Sequence, residues 1–402
     1  MKHLQGKRVV LGVTGGISVY KSLDIVRKLR KAGAEVRVIM TKNATHIVAP
    51  LAFRELSGQP VLVDMWAEVT HWNVEHIALA KWADLFLIAP ATANCIGKIA
   101  NGIADDMLTT TVMATQAPVV LAPAMNTQMF ENSIVQENME RLRRHGYQLI
   151  EPDDGEMACG TCGKGRLPEP ARIVFAAEQA LSDHLLTGVR VLVTAGGTRE
   201  PIDPVRFIGN RSSGKMGYAL ARAAARQGAE VTLVSATDKL DDPPTVCVVH
   251  VTSALEMKEA VDAAFDDIDI VMKAAAVADY RPDLVADHKI KKSQDSLHLT
   301  LAKNPDILQE LGQRKTHQVL VGFAAETRDV LTYGMDKLKR KNLDILVAND
   351  VSQPGAGFNT ETNIVTLLYP DRPAEALEQM EKEGVADVIV TRAAECYGRL
   401  HK

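Results

Sequence analysis

Residues 8–16 read RVVLGVTGG, and residues 189–198 read VRVLVTAGGT. Each is a short run of β-branched and aliphatic residues, the pattern of a strand buried on both faces, and each stops at paired glycines. Apolar residues at helical spacing follow in both places, from Ser18 to Lys31 and around 216–227, and a second strand then restarts, as AGAEVRVIMT (32–41) and as QGAEVTLVSA (227–236). Strand, glycine turn, helix, strand is the opening of an α/β domain with a mainly parallel sheet, whose ligands bind beyond the carboxyl ends of the strands. Its occurrence twice predicts two Rossmann-like three-layer domains, 1–187 and 188–402, joined near LSDHLLTG (181–188).

Neither turn is a true G-x-G-x-x-G. A dinucleotide fold also places an acidic residue after the second strand to hold the ribose hydroxyls, whereas these strands end in Met40-Thr41 and Ser235-Ala236. NAD is disfavoured, and a mononucleotide phosphate at a helix N-terminus remains open.

The 402 residues carry 46 basic and 50 acidic side chains, a net charge of -4, with both signs interspersed. No field of that kind gathers nucleic acid or an acidic membrane surface. No apolar run reaches signal-peptide or membrane-spanning length, so the expectation is a soluble, cytoplasmic protein. The five cysteines, at 95, 159, 162, 247 and 396, are odd in number and scattered, which is no disulfide framework. Cys159-Gly-Thr-Cys162 has the C-x-x-C spacing, but a structural zinc site needs two further ligands and none follows at compatible spacing. The surrounding glycines also make a poor helix start for a redox pair.

In the first half, DLFLIAPATAN (84–94) and VVLAPAMN (119–126) are buried strands running into small and hydroxyl residues that permit close approach to a flat or phosphorylated ligand. Asn126 lies where they converge, and reads equally as the cap of a following helix. His76, in HIALAKWADL, has the side chain suited to a general base near neutrality, though a lone histidine is more often a surface or capping group.

Taken together, TGGIS (14–18), His76, APATAN (89–94), PAMNTQMF (123–130) and ACGTCGKGR (158–166) resemble the flavin-dependent 4'-phosphopantothenoylcysteine decarboxylases, whose patterns include P-x-M-N-x-x-M-W and A-C-G-x-x-G-x-G-R. Phe130 stands where that pattern prefers tryptophan. The resemblance covers roughly 6–180 and implies bound FMN, contacted by Gly15, Gly16, Ser18, Thr41, Thr92, Ala93 and Asn94. It further implies oxidative decarboxylation assisted by His76 as base, orientation of the substrate by Asn126, and protonation by Cys159 in the final reduction, with Cys162 at a free position of the pattern. The glycine-rich flap around the cysteines suits a mobile lid, and the family places its flavin between the subunits of a trimer.

In the second half, Ser212-Ser213-Gly214-Lys215 precedes a helix and suits phosphate, or is simply a capped loop; no Walker A pattern is present. DIDIVMKAAAVADYRP (267–282) is a strand with Asp279 just beyond it, and HKIKK (288–292) holds three lysines. With KNPDIL (303–308), GFAAET (322–327), KLKRKNLDILVAND (337–350) and GFN (357–359), these segments resemble phosphopantothenate-cysteine ligase over about 188–398, including its K-x-K-K motif at 289–292. The order of the two halves resembles the bifunctional proteins of coenzyme A biosynthesis. The implied reaction joins 4'-phosphopantothenate to cysteine, with CTP and Mg2+, through an acyl-cytidylate. By the same resemblance Asn210 and Arg206 hold phosphopantothenate and the acyl intermediate, and Lys289 acts on the phosphates. Lys273, Ala274, Ala275, Asp279, Asn304, Pro305, Asp306, Ile307, Phe323, Lys337 and Lys341 would contact CTP. Lys337 and Lys341 are i, i+4 and share a helix face. Homo-oligomers are implied as well, as decarboxylase trimers and ligase dimers, up to a dodecamer.

Overall fold

The computed structural model describes residues 3–66, 74–156, 160, 162–291, 297–326, 330–350 and 360–401. The chain divides into two compact units, Met1–Ser182 and Asp183–Lys402.

In the first unit the strands β1 (Arg8–Val13), β2 (Glu35–Met40), β3 (Val61–Leu62), β4 (Leu85–Ala91), β5 (Val119–Pro123) and β6 (Gln148–Leu149) form one sheet, ordered β3-β2-β1-β4-β5-β6, with every pair parallel. The continuous apolar run of β1 is explained by burial on both sides. Val9, Leu11 and Val13 pack against Ile25 and Leu29 of the helix Lys21–Lys31, Phe53 of Pro50–Ser57, and Ile173 of Pro170–Ala180. Val10 faces the other way, toward Ile96, Ile99, Leu108 and Leu142. Each fully buried side chain of this size stabilises the fold by about 1.5–3 kcal/mol. The helix expected from Ser18 begins instead as a 3-10 turn, Ile17–Tyr20, and becomes α-helical at Lys21.

The second unit repeats the order. Its strands run, across the sheet, Cys247–His250, Glu230–Ser235, Arg190–Ala195, Ile270–Lys273, Val319–Glu326 and Ile345–Asp350, all parallel, and two antiparallel strands, Val365–Leu368 and Glu375–Ala376, extend the far edge. Leu192, Val271, Leu320 and Leu346 pack on Val261, Phe265, Leu311 and Leu338 on one face.

Two small devices recur in both sheets and fix the gap where strand order reverses. At the amino ends, Arg8 N donates to Asp84 Oδ2 (2.8 Å) and Arg190 N to Asp269 Oδ2 (2.7 Å). At the carboxyl ends, buried Thr14 Oγ1 accepts from Thr92 N (3.1 Å) and buried Thr194 Oγ1 accepts from Ala275 N (3.1 Å). Open parallel sheets bind ligands at this reversal, beyond the carboxyl ends.

Candidate active sites

Beyond β1 and β4 lies a cavity of about 560 Å³ lined by Thr14, Gly15, Gly16, Thr41, Thr92, Ala93 and Asn94, a size that suits one small ligand or cofactor. Six of the seven residues expected to contact a flavin are therefore brought together, from three separate strand ends. Thr14 organises the floor, since its Oγ1 also donates to Pro90 O at 2.7 Å. Thr41 and Thr92 cap the helices that follow them, accepting from Ala44 N and Cys95 N, both at 3.4 Å. Gly15 is needed for close approach: a Cβ there would lie 2.5 Å from Asn43 Cβ. The walls combine Val63, Met65, Met107, Ala124 and Met129 with these hydroxyls and amides. A cavity of this mixed lining, with apolar side chains beside hydroxyls and amides, fits a flat heteroaromatic ring bearing a phosphorylated tail.

Ser18 and Asn126 line a neighbouring cavity of about 350 Å³ that shares Gly16, Ala124 and Met125 with the first. It also contains Lys21, Glu156 and Arg166. Glu169 receives hydrogen bonds from Lys21 Nζ (2.8 Å) and Arg166 Nη2 (3.0 Å), and Lys21 chiefly holds the Glu169 carboxyl below its ordinary range. Asn126 does act as a cap, its Oδ1 accepting from Gln128 N at 2.9 Å. It caps the turn Thr127–Phe130 and lines the cavity as well.

The flap is a hairpin, Asp153–Glu156 paired with Cys162–Arg166. Its glycines were expected to supply mobility, but Gly163 and Gly165 serve close contact. Both have left-handed φ, 149° and 135°. A Cβ on Gly165 would lie 2.2 Å from Met125 O, and one on Gly163 would lie 2.7 Å from Thr127 Oγ1. Met125 N donates to Gly165 O at 2.9 Å. The hairpin is thereby pinned onto the loop that presents Asn126. Cys162 is a free, exposed thiol at its edge; Cys159 lies outside the described residues. His76, second residue of the helix Glu75–Trp82, is half-buried and lines neither cavity.

In the second unit a cavity of about 240 Å³ is lined by Lys273, Ala275, Asp279, Asn304, Pro305, Asp306, Ile307, Phe323, Lys337 and Lys341, together with Lys303. Ten of the eleven residues expected at the nucleotide meet here, although they span almost seventy positions of chain; Ala274 lines an adjoining cavity instead. Four lysines face two aspartates, so the site favours anions. Burial disfavours the charged form of Asp306, but the Lys341 ammonium, 2.7 Å away, holds its carboxyl below the ordinary range. Burial, aided by repulsion from Lys341, pushes Lys273 down to about 8. Lys341 lies one residue beyond the helix Val330–Arg340, a correction to the shared helix face expected for it and Lys337. Its N–H still bonds Lys337 O at 3.0 Å, which keeps both at the same cavity. Asn304 is mainly structural: its Nδ2 donates to Ala278 O (2.8 Å) and its Oδ1 accepts from Arg281 Nη1 (3.0 Å).

Asn210, Arg206 and Lys289 do not line this cavity. Asn210 Nδ2 donates to Ala276 O at 3.2 Å, placing it at the strand reversal on the cavity's flank. Arg206 and Lys289 are brought close by Asp203, a buried carboxylate that accepts from Val205 N (2.8 Å), Arg206 N (2.9 Å) and Ile290 N (3.2 Å). Lys289 itself is exposed. Lys292 of the K-x-K-K motif and the GFN segment lie outside the described residues.

Sequence reasoning missed Lys42, Asp64, Lys98, Asp105 and Asp106, which also line the first cavity. Lys98 Nζ sits 2.7 Å from Asp105 and 3.3 Å from Asp106, and the hydrogen bond to Asp105 chiefly raises its pKa. A signal was available: Asp106 precedes MLTTTV and forms a capping box with Thr109, a recognisable helix start. Among the described residues, no group of three or more His, Cys, Asp or Glu side chains is placed to hold a metal ion. Nor is any helix among them long and apolar enough to cross a membrane.

Comparison with known proteins gives the same division. Residues 1–182 match the family described as Flavoprotein, and residues 186–397 match the DNA/pantothenate metabolism flavoprotein C-terminal domain. The Coenzyme A biosynthesis bifunctional protein CoaBC of Bacillus subtilis (strain 168) is 50% identical over 395 residues, covering 97% of both chains. The protein of that name from Escherichia coli (strain K12) is 47% identical over 397 residues, 97% of this chain and 98% of its own. A crystal structure of the C-terminal domain of a CoaBC protein is 44% identical, covering 53% of this chain and 97% of its own, with a TM-score of 0.46.

Proposed function

This chain belongs to the CoaBC family of bifunctional coenzyme A biosynthesis enzymes, and we propose that its two strand-reversal sites carry out consecutive steps on one substrate. The second unit activates 4'-phosphopantothenate with CTP and joins it to cysteine; the first unit decarboxylates the product to 4'-phosphopantetheine. The observation that carries this reading is the pair of separate crevices, one of mixed lining with glycines, hydroxyls and methionines gathered from three strand ends, the other a lysine-rich anion site.

In the ligase site the substrate carboxylate attacks the α-phosphorus of CTP and pyrophosphate leaves; the cysteine amine then displaces CMP from the acyl-cytidylate. Lys273, Lys337 and Lys341 offset the phosphate charge, Arg206 and Lys289 receive phosphopantothenate, and Asn210 steadies the acyl group. Mg2+ arrives on the triphosphate, since this ion keeps much of its water and takes few protein ligands.

In the decarboxylase site Gly15, Gly16, Thr41, Thr92, Ala93 and Asn94 would hold FMN. When bound, the flavin would supply a two-electron acceptor and donor for the substrate. Asn126 orients the substrate carboxylate and amide, Ser18 borders its entry, His76 takes a proton, and Cys159 returns one. The position of His76 outside both cavities, beside exposed Val74 and Ile77, supports a trimer in which it serves a neighbouring subunit. Exposed Phe207 and Tyr280, in the short strands Phe207–Gly209 and Tyr280–Pro282, and exposed Leu284 just beyond them support pairing of the second unit as a dimer.

The test is one reaction mixture of 4'-phosphopantothenate, cysteine, CTP and Mg2+, followed by product mass. Absence of 4'-phosphopantetheine from protein that shows a bound-flavin spectrum would reject the reading.

A further inference from the structure

The helix Val330–Arg340 delivers Lys337 and, just past its end, Lys341 to the lysine-rich cavity. Its exit is closely specified. Asn342 N donates to Lys339 O at 3.2 Å and Leu343 N donates to Leu338 O at 3.0 Å, the paired bonds of a Schellman motif, which needs a left-handed residue just beyond the helix. Asn342 supplies it, with φ of 51°, and asparagine is among the few side chains that tolerate that region. Leu338 and Leu343 belong to one buried cluster, the apolar pairing that accompanies this motif.

The turn is pressed against the helix Ile307–Arg314, whose first turn forms another wall of the same cavity. A Cβ on Gly312 would lie 2.0 Å from Lys341 O and 2.9 Å from Lys341 C, so only glycine lets the two backbones meet. Asn342 Nδ2 donates to Gly312 O at 2.9 Å. The same two segments are tied again on either side: Lys341 Nζ lies 2.7 Å from Asp306 Oδ2, and Lys315 Nζ lies 2.9 Å from Asp344 Oδ2. Asp306 is itself fixed, since its Oδ1 caps the helix by accepting from Gln309 N at 3.1 Å. A lysine ordinarily carries its charge on a flexible four-carbon stem. Lys341 is instead buried and held at its N–H, its carbonyl and its ammonium. Neither Asn342 nor Gly312 lines the cavity.

We infer that Asn342 and Gly312 are positioning residues of the nucleotide site, which together hold the Lys341 backbone where its ammonium reaches both Asp306 and the bound nucleotide. This rests on the reading of the second unit as a CTP-dependent ligase. The effect extends to Lys273, which faces Lys341, Asp306, Lys337 and Asp279. After burial, repulsion from Lys341 is the largest cause bringing Lys273 down to about 8. When the turn shifts, Lys341 withdraws, the repulsion weakens and Lys273 keeps its proton to higher pH. Two residues outside the cavity thereby govern a titration inside it.

The experiment is isothermal titration of the full-length protein with CTP and Mg2+ at a series of pH values from about 7 to 10. Gly312→Ala should weaken CTP binding by at least about tenfold and move upward the pH at which affinity falls. Asn342→Ala, at an exposed position, should produce the same two changes in lesser degree, and decides the matter if Gly312→Ala fails to fold. Asn342→Gly, which takes the left-handed φ freely, should lie closer to wild type than Asn342→Ala in both. Gly398→Ala, where nothing lies within 4 Å of the new Cβ, should match wild type. Unchanged CTP affinity in Asn342→Ala, or weakened affinity with the wild-type pH profile, overturns the inference, because a general loosening of the fold leaves the neighbours of Lys273 in place. Failure of the wild-type protein to bind CTP would reject the ligase reading, and this inference with it.

Discussion

Replacing Gly165 with alanine would put a methyl carbon 2.2 Å from the Met125 carbonyl oxygen, on a backbone with φ of 135°. The contact cannot be met by rotating a side chain, because both partners are backbone. The hairpin must leave its seat. Holding a non-glycine residue at that φ costs about 1–3 kcal/mol, and the lost bond from Met125 N to Gly165 O adds about 1 kcal/mol. Together, about 2–4 kcal/mol shifts the balance between seated and released hairpin by about 30- to several-hundred-fold. The core of the first unit is untouched, so the effect is local. Carbon dioxide release from supplied 4'-phosphopantothenoylcysteine should fall more than about tenfold, while pyrophosphate release from CTP in the other unit stays unchanged. Gly146→Ala is the control: its φ is 84° but nothing lies within 4 Å of the new Cβ, so about 1–2 kcal/mol of strain should leave both activities intact. Normal decarboxylation by Gly165→Ala, or an equal fall in both activities, would refute the reasoning.

Thr14→Val removes the hydroxyl that bonds Pro90 O and Thr92 N; leaving buried groups unpaired costs about 1–3 kcal/mol each, so Tm and flavin retention should both fall, and Thr14→Ser should recover them. Lys273, at about 8 in the folded protein against an ordinary 10.5, is charged below pH 8 at a cost to the fold. Between about 8 and 10.5 the unfolded chain binds more protons, so this contribution to stability rises with pH. CTP affinity should fall over the same interval, and binding at pH 8 should take up protons, measured by calorimetry in buffers of different ionisation enthalpy; Lys273→Met should abolish that uptake. Asp203→Ala frees three backbone donors and should raise KM for 4'-phosphopantothenate more than KM for CTP. Cys159→Ser should halt the decarboxylase after carbon dioxide loss, whereas Cys162→Ser should turn over nearly normally, checked by product mass.

Much of this architecture was legible in the sequence because the signals are local. Val9–Val13 and Val191–Val193 must be strands, since their apolar runs end at glycines and precede helical spacing. The lysine-rich cavity of the second unit draws on segments far apart in sequence, and only the resemblance to known ligases grouped Lys273, Asn304 and Lys341 in advance. Other features carry no local signal. Nothing in KGR marks Gly165 as a contact point with Met125, because the clash exists only after folding. Lys382 reads as an ordinary residue at the start of a helix, and its burial arises from packing. His76 matched a motif, yet it lines neither cavity of the first unit, and nothing local in HIALAKWADL records that placement.

The two sheets have separate cores and separate crevices, and each sheet carries its own aspartate latch at the amino end and threonine latch at the carboxyl end. A damaging change therefore stays within its half. In genetic terms, two alleles broken in different halves should complement one another when expressed in the same cell, although either alone is lethal to the pathway. Alleles broken in the same half should not, and a map of such pairs would divide the chain where one sheet gives way to the other.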